Sequence, residues 1–101
     1  LNNVKCWGRN FNGDLGYGDT NNRGDDANEM GDNLPIIDLG TNRKASSIYT
    51  DEYYTCAILN TEETKCWGRG NNGKLGYENT DNIGDDANEM GDNLPPINFG
   101  L

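Results

Sequence analysis

The chain has 101 residues, 33% of them hydrophobic, with 14 glycines, no histidine, and 8 basic against 17 acidic residues for a net charge of −9. Such a balance lacks the clustered Lys and Arg that displace counterions from phosphates, which argues against nucleic-acid binding. No apolar run approaches the roughly 20 residues of a membrane span, and the length suits about one small domain rich in turns and short strands.

In chain order, VKCWG (4–8) is the first short strand candidate. NFNGDLG (10–16) follows, and its Asn12-Gly13 pair is a strong turn signal. Residues 18–34 form a long polar excursion with neither helical nor strand period. LPIIDLG (34–40) is a short apolar run opened by Pro35, which suits an edge strand because proline cannot donate to a ladder. ASSIYT (45–50) and YYTCAIL (53–59) complete the strand set, the latter dense in aromatic and branched residues. TKCWG (64–68), the Asn72-Gly73 turn, a second polar excursion (78–94) and LPPINFG (94–100) close the chain. No helix is expected. Leu1, in place of an initiator Met, reads as the start of a mature or excerpted chain.

The last third restates the first. Shifted by 60 positions, residues 4–40 lie over 64–100 without a gap, and 26 of the 37 pairs are identical. GDDANEMGDNLP occurs at 24–35 and again at 84–95. A fixed period of tens of residues is the signature of repeat architecture. The whole of 1–101 is therefore read as a single repeat region. Short connections predict antiparallel pairing of neighbours, so 35–68 reads as one complete four-stranded meander. The candidates at 4–8 and 95–99 are left as parts of flanking units.

VKCWGRNFNGDLGYGD and YYTCAILNTEETKCWGRGNNGKLGY resemble repeats of the regulator of chromosome condensation family. The matching positions are Ala57 and Leu59, then Trp7, Gly8, Asn10, Gly13, Leu15 and Gly16, and again Trp67, Gly68, Asn71 or Asn72, Gly73, Leu75 and Gly76. The resemblance implies an all-β fold of β-propeller type with four-stranded antiparallel blades. On that pattern the chain holds one complete blade, two flanking half-blades and long Asp/Asn/Gly-rich loops. Two features depart from the family. The period is longer, with the surplus in the acidic excursion, and Tyr54 stands where the family often has His. The resemblance extends to secreted bacterial members, including an inhibitor type. The nucleotide-exchange role of other members is not carried over, because fold does not fix function.

Cys56 and Cys66 lie on consecutive strands. If residues 58 and 64 pair, these cysteines are directly opposite, within disulfide range. The alternative is two buried core thiols. Cys6 is the copy of Cys66, and its expected partner falls just before Leu1. It is read as an intermolecular bond or a pairing lost by truncation. A disulfide framework favours an oxidising, extracellular or surface location.

Each acidic excursion carries a set of oxygen donors: Asp25, Asp26, Glu29 and Asp32, and again Asp85, Asp86, Glu89 and Asp92. They are weak calcium candidates; the closing Glu of an EF-hand loop begun at Asp19 falls on Met30. The other reading is a solvated, turn-rich loop whose side chains bond their own backbone. Arg23-Gly24-Asp25 spells an integrin-type tripeptide, but its copy is Ile83-Gly84-Asp85. Trp7 and Trp67 are expected in the core. Tyr17, Tyr53, Tyr54 and Tyr77 are candidates for a contact surface. No nucleophile–base pair or phosphate-cradling loop is present, so no enzyme, catalytic residue or cofactor is expected. The functional expectation is a structural or scaffolding repeat protein of an extracellular or surface assembly, possible fibre formation included, through self-association or protein partners. The alternatives are a protein-binding propeller fragment of inhibitor, adaptor or exchange-factor type, and a calcium-dependent adhesion module.

Overall fold

A computed structural model describes residues 2–100. Its regular centre is an antiparallel sheet in the order β1 (Ala45–Thr50), β2 (Tyr54–Leu59), β3 (Thr64–Gly68). β2 alternates: Thr55, Ala57 and Leu59 are buried while Tyr54, Cys56 and Ile58 are half-buried, the period of two that a strand covered mainly on one face requires. β3 is buried from Lys65 to Gly68. β1 buries Ala45 alone and exposes the rest. Ile58 faces Thr64, so Cys56 faces Cys66 as the register reading anticipated, and the two form a disulfide with Cα atoms 4.1 Å apart.

The meander has three strands rather than four. Residues 35–40 keep a strand-like alternation, with Ile37 and Leu39 buried and Ile36 and Asp38 exposed, but make no ladder with β1. The outer edge of β1 at Ala45 is already paired, because Ala45 exchanges both backbone hydrogen bonds with Asn2. The displaced run instead donates from Ile37 N to Val4 O at 2.8 Å. Its copy behaves alike, with Ile97 N donating to Thr64 O at 2.8 Å. The expected strand at 4–8 likewise reduces to a single isolated bridge, at Gly8 with Arg23.

Among the described residues, helix is confined to three single 3-10 turns, Gly31–Asn33, Asn71–Gly73 and Gly91–Asn93. The Asn-Gly signals do form turns, closed by Gly13 N to Asn10 O and by Gly73 N to Gly70 O. One core joins both copies: Ile37, Leu39, Ala45, Ala57 and Leu59 pack with Trp67, Met90 and Leu94. Among the described residues, no helix is long and apolar enough to cross a membrane.

Candidate functional site: the junction between the two copies

Each acidic excursion folds around one glutamate. Glu29 Oε1 accepts from the backbone N–H groups of Gly24, Asp25 and Asp26 at 2.9, 3.1 and 2.9 Å. Glu89 Oε1 does the same for Gly84 and Asp86, at 2.9 and 3.0 Å. These donors hold the Glu29 carboxyl below its usual range, led by the bond from Asp26. Its hydrogen bond to Asp25 pushes that neighbour up. Asp25, Asp26 and Glu29 gather closely, as do Asp85, Asp86 and Glu89, each set offering one oxygen per residue within 4.8 Å of the others. Asp32 and Asp92 stand outside these clusters; Asp92 instead accepts from the backbone N–H and the hydroxyl of Thr41. In each cluster the glutamate's Oε1 thus staples its own loop.

The two loops differ in what covers them. The Asn12–Gly18 turn of the first copy presses onto the second copy's loop. Gly18 N donates to Gly84 O at 2.9 Å. A methyl placed on Gly13, at φ +77°, would meet Asp85 N at an impossible 2.3 Å. Asp14 O accepts from Trp67 Nε1 at 3.1 Å and from Thr55 Oγ1 at 2.9 Å. Lys65, buried, bridges the copies: its Nζ donates to Leu39 O at 3.1 Å and to Gly91 O at 2.8 Å. Burial lowers its pKa. Burial, and then a hydrogen bond donated to the Glu89 carboxylate, pushes Asp85 up to about 6. A cleft of about 380 Å³ remains at the seam, walled by Tyr17, Arg23 and Ile36 on one side and Asp86, Glu89 and Met90 on the other.

The expectation that both tryptophans lie in the core holds for one. Trp67 is 0% exposed but Trp7 is 62% exposed. Among the described residues no turn equivalent to 13–18 lies against Trp7, and the same motif meets solvent. Arg9 stacks over Phe11 beside it, 4.4 Å from the ring centroid. Arg23 of the integrin-type tripeptide is not free, because Asp19 holds its guanidinium at 2.9 Å and it lies over the Tyr17 ring. Tyr17 and Tyr77 spend their hydroxyls on the backbone of Cys6 and Cys66. Tyr53 and Tyr54 remain near the surface, flanked by Arg69 and Lys74. Cys6 carries a free thiol, pushed up to about 11 by burial and by the Asp14 charge.

Sequence reasoning missed Lys65 and Thr41 as links between the copies. It placed Asn10 in a motif without a role. Asn10 is fully buried and its amide bonds Asp19 O, Asp19 Oδ1 and Asn21 O, while its Oδ1 accepts from Leu15 N, so it gathers the entry of the first excursion. Searches against protein-family models, curated proteins and solved structures find no match to this chain.

Proposed function

We propose that the chain is a non-enzymatic structural repeat protein of an extracellular or surface assembly, built from propeller-type repeats of the regulator of chromosome condensation kind. The observation that carries this reading is that one copy serves as the packing surface of the next: the Asn12–Gly18 turn covers Trp67 and the acidic loop at 84–90. At that junction Glu89 staples its own loop and Lys65 bridges the two copies through backbone carbonyls. The Cys56–Cys66 disulfide is compatible with an oxidising location outside the cell. In this reading β1–β3 is the centre of a blade, with 35–40 as its irregular outer member. Electron microscopy of native material under non-reducing conditions, with intact mass, tests it. Extended particles with a regular rise are the expected result. Compact, uniform particles that capture a foreign protein would overturn it in favour of a binding module.

A further inference from the structure

We infer that the exposed Trp7 face of the first copy is a docking site for the Asn72–Glu78 turn of a second copy of this chain, so that chains join head to tail. The inference rests on the structural-assembly reading and names its contact.

The interface already exists once inside the chain, and among the described residues both of its halves recur uncovered. On the receiving side, Trp67, Gly84, Met90 and Gly91 are buried under the first copy, while their counterparts Trp7, Gly24, Met30 and Gly31 are exposed. On the delivering side, Gly13, Gly16 and Leu39 are buried, while Gly73, Gly76 and Phe99 are exposed, Phe99 at 63% against 4% for Leu39. The receiving loop is already in the docked shape. Glu29 staples it as Glu89 staples its twin, and Lys5 Nζ donates to Gly31 O at 3.0 Å as Lys65 does to Gly91 O. Lys65 also takes the carbonyl of Leu39. On Lys5 that place falls to the carbonyl of an incoming Phe99.

The delivered turn fits as well. The internal junction is made largely by backbone: Asp14 O, Gly18 N and the bare face of Gly13. Replacing Asp14 by Lys74 therefore keeps the acceptor and removes an acid that would meet an acidic loop. Glu78 keeps the positive φ of Gly18, 63° against 76°, and a Cβ on Gly18 would sit in ordinary contact with Asp86 O at 3.5 Å. The contact uses different patches on the two partners, so it is heterologous and propagates unless its rotation closes a ring.

Sedimentation of the full chain in a Cys6→Ser background, which removes intermolecular disulfides, tests the contact. The parent is expected to grow beyond dimers with concentration. Gly73→Asn keeps a residue that tolerates left-handed backbone, in space that is open within the chain, yet its side chain would strike the partner's Gly24–Asp25 as Gly13 would strike Asp85. Trp7→Ala removes the receiving ring. Each variant alone should associate about 30-fold more weakly or worse. An equimolar mixture should form dimers and stop there, because one good half survives on each. Unchanged thermal midpoints of the monomers verify the fold. A parent that assembles with neither variant weakening it overturns this contact and leaves the assembly reading standing. A parent that stays monomeric at every concentration overturns the contact as well, and filaments in native material would then have to use another surface.

Discussion

Asp85 shows how one position acquires properties that its twin lacks. Asp25 is exposed; Asp85, in an identical local sequence, lies under Gly13 with its Oδ1 buried and unpartnered. Its folded pKa of about 6 lies above the roughly 3.9 of an unfolded Asp. The folded state therefore holds the proton more tightly, and this group's favourable contribution is complete below about pH 4 and lost as pH rises to about 6. Asp19, held low by Arg23, works in the opposite sense, contributing above its unfolded value and losing that contribution as pH falls. Asp85→Asn should flatten the decline between pH 4 and 6, read from urea midpoints at stepped pH, whereas Asp25→Asn, at an exposed position raised in the same sense, should flatten it less. An unaltered profile in Asp85→Asn would show that the decline has another source. Nothing in GDDANEMGDNLP distinguishes its two occurrences, so this difference was illegible in the sequence. It arises from what a distant turn places on top.

At the scale of elements, local pairing was readable and edges were not. The register that sets Cys56 against Cys66 follows from a short turn between two strand-like runs, and β2 and β3 form as their composition dictates. The fourth strand failed because a sequence does not announce that Asn2 reaches the edge of β1 first. The long excursions carried no period at all, since their order comes from single side chains such as Glu29 and Asn10 bonding backbone. The disulfide closes a separation of 10 residues. A loop that short contributes about 2–3 kcal/mol by restricting the unfolded chain. Cys56→Ala with Cys66→Ala should lower unfolding free energy by that amount in urea titration. A far larger loss would mean that the bridge holds β2 to β3 in the native state itself.

For the molecule as a whole, two near-identical segments occupy unequal places. Trp67→Ala should cost about 3–5 kcal/mol, because it empties the core that unites the copies. Trp7→Ala should cost under about 1 kcal/mol in the monomer, where the ring is a surface group. Thermal or urea unfolding of dilute protein checks both, and equal losses would mean that Trp7 is covered in solution. The duplication was plain from the sequence; that one copy covers the other, burying Trp67 and leaving Trp7 exposed against the expectation for both, was not. The same duplication also gives the chain a decoy during oxidation. Lys-Cys-Trp-Gly-Arg surrounds both Cys6 and Cys66, so Cys56 meets two chemically alike thiols, one 10 residues away and one about 50. Loop closure favours the nearer by about 1.4 kcal/mol, roughly tenfold. Chain connectivity thus does the proofreading that local sequence cannot, and the wrong isomer would thread the first copy through the place of the second.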